Sequence, residues 1–375
     1  MMRGRGLVNR LLWAFAVLVA PLAVSTAPVH ARGEDGYDLW LRHAPLEGEA
    51  LERLREFNPQ FVLPADGADH PMIRVAADEL GRGLEGLLGG AGHQQHSERS
   101  SEVVLDCAGG GASHDGSYHL RQAGTQLRIS GSGPRGCLYG AFALLRELAQ
   151  GADPHALDIA SSPAMPLRLL NHWDNPDGHV ERGYSGRSIF DWWRLPGHLD
   201  RRMIDYARAN ASLGINGSVV NNVNASPLFL TPRYLPKLKR LADAWRPYGI
   251  RLYISARSSA PSEIGGLDTA DPLDPRVAAW WKAKADDIYA EIPDFGGFLV
   301  KANSEGQPGP YDYGRNHADG ANMLARAIGD RGTVIWRAFV YSEEDATDRH
   351  KQAYAQLVPL DGQFDDNVIV QVKNG

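Results

Sequence analysis

Apolar positions change their spacing twice along this chain. At the start they form a run over 11–24, preceded by Arg3, Arg5 and Arg10. From Tyr37 to about Gln150 they recur at helical spacing over 46–57, 72–88 and 137–149. Short strand-like stretches stand between those helices, at 101–105, 118–122 and 126–129. Residues 131–134 read as a loop, as does the polar stretch 92–100. This mixture predicts a small α/β domain. A Pro- and Ala-rich segment, 151–166, marks its boundary. Beyond it the rhythm becomes strand, then helix, repeated. The strands are predicted at 167–171, 215–221, 251–255, 297–301, 333–340 and 367–372, with helices at 199–213, 235–248, 276–292 and 320–328 between them. Strands alternating with helices imply right-handed βαβ units and a parallel sheet. No G-x-G-x-x-G fingerprint accompanies them, so a barrel fits better than a dinucleotide-binding sheet. The expected fold is a small N-terminal α/β domain followed by an incomplete (β/α)8 TIM barrel, about six of eight units. The chain stops at Gly375 directly after a strong strand, and is expected to end short of a closed barrel.

The apolar run at the start has a charged region before it and Val29-His30-Ala31 after it, the layout of a secretory signal peptide. It is shorter than the ~18 apolar residues of a bilayer span, and Pro21 interrupts it, so no membrane association is expected after removal. The expected organisation is therefore 1–31 signal peptide, 32–160 N-terminal α/β domain and 161–375 partial barrel, exported to the periplasm or medium. Removing the leader leaves 36 basic and 45 acidic residues, net −9. Such a balance, with no Lys/Arg run, argues against nucleic acid as a partner. It also means that an anionic ligand needs a local cationic pocket. Cys107 and Cys137 are the only cysteines, too few for a disulfide scaffold or a Cys-rich zinc site. Export permits one bridge between them. Their positions, one ending a strand-like run and one opening an apolar helix, favour two buried thiols instead. None of the 13 His forms an H-x-x-x-H pair, and no metal or cofactor is expected.

In a barrel of this kind chemistry sits at the carboxyl ends of the strands. Polar residues follow all six: Asn171 to Asn175, Asn221 to Asn224, Arg257, Lys301 to Glu305, Arg337, and Lys373 with Asn374. Any one Asn or Asp there has an ordinary use as a helix cap or turn residue; recurrence at every strand end weakens that reading. Glu305 stands in a Gly/Pro-rich loop directly after an apolar strand, where a carboxylic acid is placed to protonate a leaving oxygen. Lys301, Arg337 and Lys373 end three consecutive strands, and such a cluster repels itself unless a carboxylate or phosphate fills it. Trp173, Trp192 and Trp193 are candidates for stacking on a sugar ring, with core packing the alternative.

The stretches 171–175, 214–225 (GINGSVVNNVNA), 297–308 (GFLVKANSEGQP) and 366–375 (DNVIVQVKNG) resemble signature segments of glycoside hydrolase family 67, and Tyr37-Asp38-Leu39-Trp40-Leu41 is similar to the start of that family's mature chain. The resemblance implies an inverting α-glucuronidase that removes 4-O-methyl-glucuronic acid, α-1,2-linked, from the terminal xylose of xylo-oligosaccharides. It implies a small α/β domain, a barrel and a C-terminal region that makes a homodimer in the full-length form. By motif, Glu305 falls on the general acid. Lys301, Arg337 and Lys373 fall on the carboxylate-binding cations, and Trp173 and Val223 on substrate-pocket positions. The family's water-activating carboxylates follow the Lys-Asn-Gly segment, so this chain is expected to lack them and to be an incomplete enzyme, poorly soluble alone. Two other readings stay open: a hexosaminidase-like hydrolase and a non-catalytic sugar-binding remnant.

Overall fold

The computed structural model describes residues 35–62, 69–90, 100–107, 116–224, 226–302, 307–338 and 349–372. The chain up to Leu39 makes one unit, of which residues 35–39 are described, and Trp40–Gly375 makes the other. The larger unit holds two sheets. Its first part runs α1 (Gly48–Phe57), β1 (Pro59–Val62), α2 (Pro71–Leu87), β2 (Ser101–Asp106), β3 (Tyr118–Ala123), β4 (Gln126–Gly131), α3 (Pro134–Ala149) and β5 (Asp158–Ser161). These strands are ordered β1-β2-β4-β3-β5, parallel from β1 to β4 and antiparallel around β3. Strict alternation explains the sheet's two faces. Val103, Leu105, Leu120, Leu127 and Ile129 are buried in one core with apolar residues of α2 and α3. The opposite face is polar, with Gln126 donating to Glu102 at 2.8 Å and Arg128 to Asp106 at 3.2 Å.

Two strands here lie outside the sequence expectation. β1 is only four residues long, too short for its alternation to register. β5 falls within the segment read as a boundary; antiparallel pairing to β3 holds it, not its own composition. A second correction concerns the cysteines. Cys107 and Cys137 are bonded to each other, with Cα atoms 5.8 Å apart, so they are not two buried thiols. Cys137 is indeed buried, on the first turn of α3. What the sequence cannot display is that α3 returns to the end of β2, where Cys107 sits. Closing a loop of 30 residues in the unfolded chain corresponds to about 3–4 kcal/mol.

The second part runs β6 (Leu169–Asn171), α4 (Arg202–Ser212), β7 (Gly217–Val219), α5 (Leu235–Trp245), β8 (Arg251–Ala256), α6 (Ala260–Ile264), α7 (Pro275–Glu291), β9 (Gly297–Lys301), α8 (His317–Ile328), β10 (Thr333–Arg337), α9 (Arg349–Leu357) and β11 (Val368–Gln371). All six strands are parallel and lie side by side in chain order, a curled partial barrel with helices on its outer face. Outward residues such as Ile254, Phe298, Val300, Val334 and Trp336 join the helices in a large core. Inward residues Val219, Tyr253, Leu299 and Ile335 form a smaller interior cluster with Leu169 and Trp173. β9 starts at a glycine out of necessity: Gly297 has φ +134°, and a Cβ there would lie 1.9 Å from the Thr333 carbonyl oxygen.

A buried ion pair joins the two parts. Glu79 of α2 is almost fully buried and accepts from Nε of Arg208 of α4 at 2.7 Å. Arg82 adds a donor to the same carboxylate at 3.0 Å, and Arg208 also reaches the Leu41 carbonyl at 3.2 Å. Removing one member of such a pair strands the other charge away from water. Glu79→Ala is therefore expected to destabilise the larger unit by about 3–5 kcal/mol in urea unfolding, with Glu79→Leu combined with Arg208→Met recovering most of it. A Glu79→Ala midpoint equal to wild type would show that the seam carries no load.

Candidate active site

Alternation along each parallel strand decides which strand-end residues face the sheet's interior. In β9 the inward set is Gly297, Leu299 and Lys301; in β10 it is Thr333, Ile335 and Arg337. The register pairs Arg337 with Lys301 directly, so two cations end neighbouring strands on the same face. Both are buried, at 6% and 9% exposure. Lys301 Nζ donates to Asn224 Oδ1 at 3.0 Å, which fixes the ammonium beside the end of β7. Arg337 lies over the Trp173 ring, 5.4 Å from its centroid, a cation–π contact. Burial lowers the Arg337 pKa, and the Glu181 carboxylate pulls it the other way. A guanidinium that pays for desolvation in this way favours an anionic partner.

Val223, Asn224, Arg257, Lys301 and Gln307 line a cavity of about 70 Å³. That is room for a few waters. A wider, open pocket of about 520 Å³ is lined by Trp173, Glu181, Tyr184 and Arg187, among others. Glu305 and Lys373 lie outside the described residues.

Several strand-end residues serve the scaffold. Asn221 exchanges hydrogen bonds with the Ser255 backbone, donating at 3.0 Å and accepting at 2.6 Å. Arg257 is held by Glu263 at 3.0 Å and by the Asn224 carbonyl at 2.6 Å, so it braces the residue that braces Lys301. His172 bridges the Asp174 carboxylate at 3.5 Å and the Tyr206 hydroxyl at 2.8 Å, and Tyr206 continues to Ser218 at 2.8 Å. Burial pushes the Tyr206 pKa up to about 12, so this buried chain behind Trp173 keeps a neutral phenol. Trp192 is core, in contact with Phe190 and Phe229, and so is not available to a sugar. Trp193 is 65% exposed and packs against Gly178.

The residue that sequence reasoning missed is Glu181. It sits in the loop after β6 with φ +56°, a conformation uncommon for a residue with a Cβ. Its amide donates to the Trp173 carbonyl at 2.8 Å. Its own carbonyl accepts from Asn175 at 2.6 Å and from Asn222 at 3.3 Å. No periodicity or motif marks it, because its partners come from two different strand ends.

Residues 39–144 match the glycosyl hydrolase family 67 N-terminus, and residues 147–375 the family 67 middle domain. With the two sheets, these matches define the class: the N-terminal and middle domains of a glycosyl hydrolase family. Alpha-glucuronidase A of Emericella nidulans is 41% identical over 392 residues, covering 96% of this chain and 45% of the relative. Probable alpha-glucuronidase A of Neosartorya fischeri is 43% identical over 367 residues, covering 92% and 43%. The chain belongs to glycosyl hydrolase family 67, and spans a little under half the length of these curated relatives. Among solved structures, a GH138 enzyme targeting pectin rhamnogalacturonan II matches with TM-score 0.54 at 15% identity, covering 84% of this chain and 38% of that one. CpGH84D matches with TM-score 0.51 at 12% identity, covering 84% and 52%. These two likenesses are of fold.

The loop's anchoring is testable without ligand. Asn222→Ala removes one donor from the Glu181 carbonyl and the acceptor of the Asn224 amide. It is expected to speed hydrogen exchange at the Glu181 and Asn224 amides about 10-fold, the equivalent of one lost hydrogen bond of ~1.4 kcal/mol. Unchanged exchange at both would mean that Asn222 does not hold the loop.

Proposed function

We propose that this chain carries the uronate-binding part and the general acid of a xylan α-1,2-glucuronidase, an inverting enzyme that releases (4-O-methyl)glucuronic acid from xylo-oligosaccharides. The observation that carries the reading is the direct pairing of Lys301 with Arg337, two buried cations on one face beside Trp173. Two buried positive charges on one face are stabilised by a nearby anion, and a small cavity opens at Lys301, lined also by Arg257. The relatives named alpha-glucuronidase support a glucuronic acid as the source of that carboxylate.

In this reading the six strands belong to an eight-stranded barrel, Val223 packs on the sugar ring, and Lys373 joins Lys301 and Arg337 around the uronate. Glu305, on the loop after β9, protonates the xylose leaving oxygen. A carboxylate on the opposite face of the sugar, ~6.5–9.5 Å from the acid, activates the water with inversion. Export is part of the proposal; the leader-like residues 1–31 and the Cys107–Cys137 bond support it.

Calorimetric titration of the chain with methyl α-D-glucopyranosiduronate tests the binding half. Arg337→Ala and Lys301→Ala are each expected to lose about 1.5–3 kcal/mol, roughly 10- to 100-fold, with methyl α-D-glucopyranoside binding poorly to wild type. Equal affinity for the uronate and the neutral glucoside would overturn the anion site. In an α-glucuronidase carrying this segment, Glu305→Gln is expected to keep uronate binding. It should lower release of glucuronic acid from an aldouronic acid by ~10²–10⁴-fold. Near wild-type turnover on a xylose leaving group would remove Glu305 from that role.

A further inference from the structure

We propose that Glu181 is a specificity-determining residue of this site, whose carboxylate accepts hydrogen bonds from ring hydroxyls of the bound uronic acid and so fixes which end of the sugar meets the cations. The inference deepens the uronate-binding reading and rests on it.

Four observations converge. The Glu181 side chain is only 10% exposed. Its Oε1 has two distant neighbours, the Tyr184 hydroxyl at 3.4 Å and Arg182 Nε at 3.8 Å, while its Oε2 is buried and meets no hydrogen-bond donor among the described residues. A buried carboxylate oxygen without a donor is costly, and such groups in native proteins generally have a purpose that the bare chain does not reveal. The backbone is also committed: a left-handed φ, rare for Glu, is held by Trp173, Asn175 and Asn222. Strained residues held by several neighbours cluster at ligand sites. Finally, Glu181 is among the residues that line the open pocket, together with Trp173, and its charge is felt by Arg337.

The chemistry follows from charge. An ionised carboxylate only accepts hydrogen bonds, and sugar hydroxyls donate them. The same carboxylate repels the uronate group. Trp173 connects the two residues: its ring lies under Arg337 and its backbone carbonyl accepts from the Glu181 amide. A uronic acid is thus accepted with its carboxylate toward Lys301 and Arg337 and its hydroxyls toward Glu181, and the reversed pose is opposed by like charge. Purely structural use of Glu181 predicts no dependence on the ligand's hydroxyls.

The test compares two probes on the full chain by calorimetry: methyl α-D-glucopyranosiduronate, and tetrahydropyran-2-carboxylate, the same acid-bearing ring without hydroxyls. Wild type is expected to prefer the uronate. Glu181→Gln is expected to lose about 10- to 100-fold for the uronate, the range of a charge-assisted hydrogen bond, and to bind the stripped acid as well as wild type or better. Equal loss on both probes, or no loss on either, overturns the proposal. If Glu181→Gln does not fold, the wild-type ratio decides: the stripped acid binding as tightly as the uronate overturns it equally. Lys301→Ala separates the two readings. If wild type binds neither probe, or Lys301→Ala binds both like wild type, the anion site itself fails and this inference with it. If only the Glu181 dependence is missing, the anion site stands alone.

Discussion

A parallel strand covered by helices on one side and a packed interior on the other has nowhere to carry a charge except at its ends. β9 shows the constraint plainly: Gly297 to Val300 are buried and, glycine apart, apolar, and the first polar side chain is Lys301. β10 repeats it with Val334, Ile335 and Trp336 ahead of Arg337. Because the ladder is in register, two such strands deliver their terminal side chains to one place without any contribution from a loop. The site is thereby rigid where it must hold charge, and the loops after β6 and β7 add the neutral and acidic groups around it.

Buried cations in this molecule are handled in two ways. Arg208 is matched by a carboxylate in direct contact and by a backbone carbonyl, an arrangement closed on itself that joins helices of the two parts. Arg337 packs over the Trp173 ring and feels the field of the Glu181 carboxylate. Lys301 lies between these extremes, steered by the side chain of Asn224, which is in turn braced by Arg257 and Glu263. Desolvation is the same in kind at all three; the groups arranged around each charge differ.

Much of this was legible in the sequence because parallel strands write themselves as short apolar runs bounded by glycine and polar residues. All six strands of the second sheet and the helices α4, α5, α7 and α8 lie where their spacing predicts, within a few residues at the ends. That Lys301 and Arg337 end neighbouring strands is legible by the same logic, since a cation closing an apolar run is conspicuous. Glu181 was not, because its setting is assembled from Trp173, Asn175 and Asn222, and no spacing rule connects a left-handed loop residue to two strand ends. For Trp192 the sequence left stacking and core packing open, and contacts with Phe190, Phe229 and Tyr234 draw it into the core. The cysteine pairing failed for a related reason, being a property of the first sheet's crossover and not of either cysteine's neighbours.

The Cys107–Cys137 bond also gives the polypeptide a memory of where it was made. A copy synthesised under reducing conditions has the same sequence and carries two thiols, one of them in the buried first turn of α3. The two forms share their strand-end charges, yet differ in how firmly β2 is tied to the helix that covers its sheet. An oxidised and a reduced preparation are thus chemically distinct, and distinguishable by thiol titration after unfolding. Differences in their durability report the oxidation state of the first sheet's domain and say nothing about the strand-end charges of the second.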